Sequence, residues 1–311
     1  MKKKIAFLFP GQASQYVGMG KEFYGNYSAA RELFEIANDA LGFDIGKLCF
    51  EGPEEKLKLT EHTQPSILLC SVVTKKILDL KGIKPDIGAG HSLGEYSALV
   101  AAGSLDFAQA LKIVRMRGRF MQEAVPEGEG AMAALLGIER KKVEEVLSGI
   151  RDGVVEPANF NSPGQIVISG EKRAVERAVE ELKKNGAKRA VFLPVSAPFH
   201  CRLMKPAEDK LAKYLDDTDF KDLGFPIVTN VDANVIKRGD EAKDSLKRQV
   251  SRPVRWEESV SKIIEQGIGV LIEVGPGKVL SGLARQINRE AVCLNVEDEK
   301  SLEKTLEALR N

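Results

Sequence analysis

Cysteine is sparse in this sequence, surplus charge is almost absent, and no long apolar run occurs. The four cysteines, Cys49, Cys70, Cys201 and Cys293, stand far apart in 311 residues. That spacing excludes a disulfide-stapled scaffold, offers no metal-ligand cluster and suits a reducing, cytoplasmic compartment. Lysine plus arginine number 46 against 45 for aspartate plus glutamate, a formal net charge of +1, whereas a dedicated nucleic-acid binder carries a basic surplus. No stretch reaches the length that spans a bilayer, so no membrane association is expected. Met-Lys-Lys-Lys followed by the apolar residues 5–9 has the charge order of a secretory signal, but the run is too short and Pro10-Gly11 breaks it. His-Glu-x-x-His, paired-cysteine and dinucleotide-binding patterns are missing too, so neither a metal nor a nicotinamide cofactor is expected.

What is present is a chain that buries a core: 43% hydrophobic and 29% charged. The length favours one large unit with a smaller one inserted or appended. Residues 5–9 read as a buried strand running into a turn. Apolar spacing through Ala29, Leu33, Ile36 and Ala37 reads as a helix face, and a very apolar helix is expected over 65–80, opened by Pro65. A strand over 86–90 leads into a helix over 93–102. Asp106 caps the next helix, with Gln109 in the capping-box position, and that helix runs to about Val125. Pro126-Glu127-Gly128-Glu129-Gly130 marks a composition break. Beyond it the order is strand 131–138, helix 141–147, strands 154–159 and 165–169, helix 171–184 and strand 188–195. This β-α-β-β-α-β order predicts a ferredoxin-like small subdomain over 128–195. Further strands are expected over 226–230 and 270–274. The remainder, 1–127 and 196–311, then forms an α/β domain with a mostly parallel sheet.

Gly90-His91-Ser92-Leu93-Gly94 is a Gly-x-Ser-x-Gly pentapeptide between a predicted strand and a predicted helix. Such a turn lifts a serine hydroxyl above the sheet edge and sets helix-start N–H groups beside it, where a tetrahedral oxyanion would form. The alternative is a Gly-Ser turn that merely opens a helix. A serine nucleophile needs a base, and the chain has three histidines, His62, His91 and His200. His91 is too close in sequence to take the Ser92 proton, and His62 reads as a loop or cap residue. His200, after the insert, is the better candidate. No orienting carboxylate stands out: Asp152 and Glu156 fall in the insert, Asp232 follows the histidine, and a backbone carbonyl could serve instead. Arg117 aligns with Ala110, Ile113, Val114 and Met121 on an apolar helix stripe, away from Arg115 and Arg119. A desolvated guanidinium there needs an anion, either an internal carboxylate or a substrate carboxylate. The loop after the first strand, Gly11-Gln12-Ala13-Ser14-Gln15, sits where such sheets place active-site loops and could supply a second oxyanion donor.

These motifs together resemble the malonyl-CoA:acyl carrier protein transacylases, the loading enzymes of bacterial type II fatty acid synthesis, over essentially the whole chain. The matching residues are Phe7-Leu8-Phe9-Pro10-Gly11-Gln12 with Gly18-Met19-Gly20, Thr63-Gln64-Pro65, the pentapeptide at 90–94, Arg115-Met116-Arg117-Gly118, the run from Asn159 to Gln165, Phe199-His200, Gln249 with Pro253-Val254-Arg255-Trp256, and Glu273-Val274-Gly275-Pro276-Gly277. The resemblance implies an α/β-hydrolase-like large domain and a cytoplasmic acyltransferase without cofactor or metal, taking malonyl-CoA and holo-acyl carrier protein in turn. It implies Ser92 as nucleophile, His200 as base and the Gln249 main-chain carbonyl as its orienter. The oxyanion donors would be the N–H groups of Gln12 and Leu93. Arg117 would grip the malonyl carboxylate, with His91, Phe199 and Asn159 along the pocket. Ala13 departs from the family, which usually has glycine there. Because carrier proteins are acidic, Lys183, Lys184, Lys188 and Arg189 are candidates for a docking rim. A hydrolase built on the same elbow, a transacylase for acetyl or methylmalonyl groups, and a non-catalytic scaffold are the competing readings. Arg117 speaks against a simple esterase, and retention of Ser92, His200 and Arg117 speaks against a scaffold.

Overall fold

The computed structural model describes residues 3–195 and 197–310. Met1, Lys2, Asn311 and Ser196, where the sequence reading returns the chain to its large unit, lie outside the described residues. The strands, in chain order, are β1 (Ile5–Phe9), β2 (Ile87–Gly90), β3 (Gly130–Leu136), β4 (Val155–Ser162), β5 (Gln165–Glu171), β6 (Arg189–Phe192), β7 (Ile227–Val228), β8 (Val235–Ile236), β9 (Val270–Val274) and β10 (Val292–Val296).

Six of them form an α/β layer in the order β10-β9-β1-β2-β7-β8. All neighbours are parallel except β8, which runs antiparallel to β7, so the sheet is mixed. β1, β2 and β9 are buried at every position, as strands covered on both faces must be. Side chains alternate between two cores. Phe7 and Phe9 join the core under the helices Thr60–Leu80 and Phe107–Glu123, while Ala6 and Leu8 join the one built with Trp256, Val260 and Leu283.

The other four strands make a separate antiparallel sheet, order β4-β5-β3-β6. The helices Arg140–Gly149 and Lys172–Lys184 cover one face, burying Val143, Leu147, Val175 and Val179 against Ala133, Leu135, Ile166 and Ile168. The opposite face gives Met132, Ala158 and Val167 to the main core. A parallel bridge between Asn159 and Val254, with Phe160 N–H on Val254 O at 2.9 Å and Val254 N–H on Ala158 O at 2.8 Å, ties β4 to the chain just beyond Gln249.

Several elements differ from expectation. The apolar helix begins at Thr60, five residues before Pro65, which lies inside it. His62 is therefore a first-turn helical residue, buried edge-on to Phe43, and not a loop residue. In the helix Ser28–Leu41 the buried stripe is Ala30, Phe34, Ala37 and Leu41, while Ile36 is 44% exposed. Phe34 sets that face by packing against Tyr24 and Phe50. Asp106 does accept from Gln109 N–H, but the Gln109 side chain turns to Thr218 and leaves the box half formed. β6 is shorter than expected because it is an exposed edge, and β8 and β10 have no counterpart in the sequence reading.

Two features of this frame position the site. β1 and β2 are adjacent with Phe9 opposite Gly90, so the loops leaving both strands emerge side by side at the carboxyl edge of the sheet, where open α/β sheets hold their ligands. The helix Phe107–Glu123 lies so close to the start of Thr60–Leu80 that a Cβ on Gly118 would stand 2.6 Å from the Thr60 carbonyl oxygen. Glycine to alanine inside a helix ordinarily stabilises by about 1 kcal/mol. Here the obstructing atoms are backbone, so Gly118→Ala is expected to destabilise by about 1–3 kcal/mol, read by urea unfolding. A stabilised variant would show that the two helices can separate freely.

Candidate active site

The pentapeptide turns as sharply as its glycines allow. A Cβ on Gly90 would fall 1.9 Å from the Gly94 carbonyl, and one on Gly94 would fall 2.0 Å from the Phe9 carbonyl. Ser92, between them, has φ 50°, the left-handed region that side-chain-bearing residues seldom adopt. Asn230, just past β7, clamps the turn: its Oδ1 accepts from Ser92 N–H at 2.7 Å and its Nδ2 donates to Gly90 O at 2.6 Å. The helix Gly94–Ala101 begins at once, with Leu93 in the N-cap position. Neither Leu93 nor Gln12 donates its N–H to a partner among the described residues, so both donors stay open for an oxyanion. Ala13 beside Gln12 has φ 80°. That conformation explains why glycine suits the position, and alanine there costs about 1 kcal/mol.

His200 also has positive φ, 60°, in the turn after β6. Its Nδ1 faces two backbone carbonyls, Gln249 O at 3.0 Å and Arg252 O at 3.2 Å. A carbonyl can only accept, so Nδ1 carries the proton and Nε2 offers a lone pair. Nε2 lies 2.7 Å from Ser92 Oγ, which therefore points its hydroxyl proton at His200. Asp152, Glu156 and Asp232 are engaged elsewhere, with Arg177, Arg202 and Arg248. Burial, with the Arg117 charge as second cause, pushes the His200 imidazole down to about 3, against the raising effect of the Gln249 carbonyl. The ring is thus neutral across the physiological range.

Arg117 is 1% exposed and reaches the same oxygen. Its Nη2 donates to Ser92 Oγ at 3.1 Å and to Gln249 Oε1 at 2.9 Å, and its Nη1 donates to Gln64 Oε1 at 2.9 Å. Its Nε and the Tyr96 hydroxyl make no hydrogen bond of good geometry, although the Tyr96 side chain lies close beside the guanidinium, its ring 5.5 Å from the guanidinium carbon. No carboxylate among the described residues forms an ion pair with it, so the internal salt bridge left open above does not form. Arg115 instead bonds the Leu41 carbonyl over the Phe43 ring, and Arg119 pairs with Glu123 on the surface.

The Gln249 side chain is fully buried and bonded at both ends. Its Nε2 donates to Ser92 O at 3.0 Å and to Glu95 Oε2 at 2.7 Å. Glu95 also accepts from Asn230 N–H and Ser245 Oγ. Burial raises its carboxyl to about 7, against the lowering by these donors and by Arg117, so it changes charge near neutrality. His91 stacks edge-on against Trp256, and its Nε2 lies 2.9 Å from Asn161 Oδ1. Asn161, not Asn159, thus reaches the elbow from β4; Asn159 is buried in the bridge to Val254. Phe199 is buried immediately before His200. The residues the sequence reading missed are Glu95, Asn230, Asn161 and Gln64 as a hydrogen-bonding partner. Gln64 and Asn161 carried a signal, inside the Thr63-Gln64-Pro65 match and the run from Asn159 to Gln165.

Comparison with known proteins agrees with this geometry. The acyl transferase domain model matches residues 6–304. The chain is 49% identical over 309 residues to the malonyl CoA-acyl carrier protein transacylase of Bacillus subtilis, covering 99% of this chain and 98% of that protein. It is 51% identical over 286 residues to the Escherichia coli K12 protein of the same name, covering 91% and 93%. Among solved structures, the transacylase from Clostridium perfringens superposes with a TM-score of 0.96 at 47% identity, covering 99% of this chain and 97% of that one. A malonyl-transacylase solved with its type II polyketide acyl-carrier protein gives a TM-score of 0.95 at 46% identity, covering 98% and 99%.

The depressed His200 titration has a testable consequence. Since protonation of His200 removes the lone pair facing Ser92, acylation with acetyl-CoA as donor, which has no carboxylate to place, is expected to stay level from about pH 8 down to about pH 5, far below an ordinary histidine limb. Removing the Arg117 charge relieves the second cause of the depression, so Arg117→Ala should move the acid limb upward when acetyl-CoA is the donor. Stopped-flow acylation against pH checks both. An acid limb near 6.5 in the wild type, or one unmoved in Arg117→Ala, would contradict the assignment. Stability follows the same sign: the unfolded chain takes up this proton first, so the contribution present above the ordinary histidine value is lost as pH falls from there toward 3.

Proposed function

We infer the reaction from the premise that this chain belongs to the acyl transferase domain family and, within it, to the malonyl-CoA:acyl carrier protein transacylases of bacterial type II fatty acid synthesis. The protein is an acyltransferase that moves the malonyl group from malonyl-CoA to the phosphopantetheine thiol of holo-acyl carrier protein through a serine ester. We propose Ser92 as the nucleophile, His200 as base then acid, and the Gln249 carbonyl as the orienter of His200. In the same reading Gln12 and Leu93 are the oxyanion donors and Arg117 is the carboxylate clamp. His91 and Phe199 line the pocket, with Asn161 beside the expected Asn159. The observation that carries the proposal is the convergence on one oxygen: Ser92 Oγ lies 2.7 Å from His200 Nε2 and 3.1 Å from a buried guanidinium that has no carboxylate partner.

In this mechanism the Ser92 hydroxyl proton passes to His200 Nε2 as Oγ attacks the thioester carbonyl carbon. The oxyanion takes the two open N–H groups. Its collapse breaks the carbon–sulfur bond, and the coenzyme A thiolate leaves with the proton from His200. The phosphopantetheine thiol then gives its proton to His200, attacks the malonyl ester, and expels the Ser92 alkoxide, which recovers that proton. The Arg117 fork supports malonyl over acetyl, because only malonyl brings a planar carboxylate. A cytoplasmic location belongs to the same reading, supported by four free thiols. Among the described residues no helix is long and apolar enough to cross a membrane.

The domain reading is likewise proposed: an α/β-hydrolase-like catalytic domain from 1–127 and 196–311, and a ferredoxin-like subdomain from 128–195 forming one wall of the cleft. Its support is the strand order β4-β5-β3-β6 with two helices on one face, and the contact of Asn161 with His91. The carrier-protein dock is proposed along Lys183, Lys184, Lys188 and Arg189. Arg189 opens the exposed edge strand β6, where Phe192 is 49% exposed, although Lys184 is already paired with Glu181.

Intact-mass analysis tests the reaction. Malonyl-CoA should add one malonyl group, mapped to Ser92, and holo-acyl carrier protein should then remove it. Label on Cys201 with Ser92 bare, or release as free malonate without transfer, would refute the reading. For Arg117→Ala, the malonyl preference should fall by roughly 2–4 kcal/mol, about 30- to 1000-fold in kcat/KM, with acetyl transfer little changed and Arg117→Lys only a partial rescue. An equal fall for both donors in a folded variant would make Arg117 structural. Charge reversal at Lys188 and Arg189 should raise KM for carrier protein and spare the malonyl-CoA half-reaction; equal effects on both halves would remove this patch.

A further inference from the structure

The hydrogen bonds of Arg117 all end on neutral oxygens, those of Gln64, Gln249 and Ser92. A guanidinium taken out of water and met only by neutral acceptors lacks a countercharge. One lies a single amide away. Glu95, three residues past Ser92 and 1% exposed, accepts from Gln249 Nε2 at 2.7 Å, while Gln249 Oε1 accepts from Arg117 Nη2 at 2.9 Å. The amide dipole thus runs from anion to cation. A glutamine amide can turn over, exchanging its oxygen and nitrogen. Here one orientation alone sets an acceptor on the guanidinium and donors on both the carboxylate and Ser92 O. Glu95 is itself pinned from two other segments, by Asn230 N–H at 3.1 Å and Ser245 Oγ at 3.0 Å.

We propose that Glu95 is a positioning residue for acyl-group selection: through the Gln249 side-chain amide it fixes the aim of the Arg117 guanidinium at the place a substrate carboxylate takes. The proposal rests on the reading of Arg117 as the malonyl clamp. A malonyl group depends on that aim for its carboxylate, and an acetyl group does not. Glu95 also touches Asn230, which clamps the Ser92 turn. Action by that route would slow both donors alike, so the ratio of the two separates the routes.

The test is kcat/KM for malonyl-CoA and acetyl-CoA on wild type, Glu95→Gln, Gln249→Met and the double variant, with circular dichroism for folding. It is run at about pH 8, where Glu95 is ionised. Gln249→Met keeps the main-chain carbonyl on His200 and removes only the amide. Glu95→Gln should lower the malonyl-to-acetyl ratio by about 10- to 100-fold, the scale of a lost hydrogen bond to a charged group. Acetyl transfer in that variant should stay within about threefold of wild type. Gln249→Met should lower the ratio as well, and adding Glu95→Gln to it should lower the ratio no further, since the relay is already cut. An equal fall for both donors in Glu95→Gln, an unchanged ratio in either single variant, or additive losses in the double variant would overturn the proposal. If Glu95→Gln does not fold, the ratio in Gln249→Met decides. A wild type without malonyl preference would overturn the clamp reading and this proposal together.

Discussion

A permanently charged guanidinium, buried and without an ionic partner of its own, governs this site. Arg117 can lie there because the helix Phe107–Glu123 is pressed onto Thr60–Leu80 at Gly118, one residue along, which brings Gln64 within reach from the facing helix. Gln249 closes on it from the far side of the elbow. Each of these contacts is neutral, and a desolvated cation so held is left with affinity for an anion. The site is thus prepared for a donor that carries a carboxylate, at the oxygen where the ester forms.

The same charge shapes the base. Burial does most to hold the His200 imidazole neutral and the nearby Arg117 charge adds to it, which keeps the Nε2 lone pair available at any physiological pH. The Arg117 charge also explains a missing part. An aspartate behind His200 would raise the imidazole and compete with the substrate for Arg117; the carbonyls of Gln249 and Arg252 fix the tautomer without adding a negative charge. Gln249 therefore joins the two halves, its backbone orienting the base and its side chain orienting the cation.

Much of this was legible before any coordinates. The Gly-x-Ser-x-Gly turn, the β-α-β-β-α-β order and the alignment of Arg117 with Val114 and Met121 follow from local rules of turn chemistry and periodicity. What stayed hidden is tertiary. Nothing local marks Asn230 as the clamp on Ser92, because its partners lie 138 and 140 residues away. Glu95 looks like a first-turn acid favoured by the helix dipole, and burial alone reveals its role. The Gln249 side chain went unnoticed because the family resemblance pointed to its carbonyl. The helix start misread at Pro65 and the face misread at Ile36 arose where packing overrode a local signal.

The claim that the buried cation waits for the substrate's own carboxylate is open to direct inspection in a crystal structure of the malonyl-serine intermediate. The account predicts an ester on Ser92 Oγ whose distal carboxylate lies within hydrogen-bonding distance of the Arg117 guanidinium. A malonyl carboxylate turned to solvent or to another cation, with Arg117 still bonded only to Gln64 and Gln249, would contradict it.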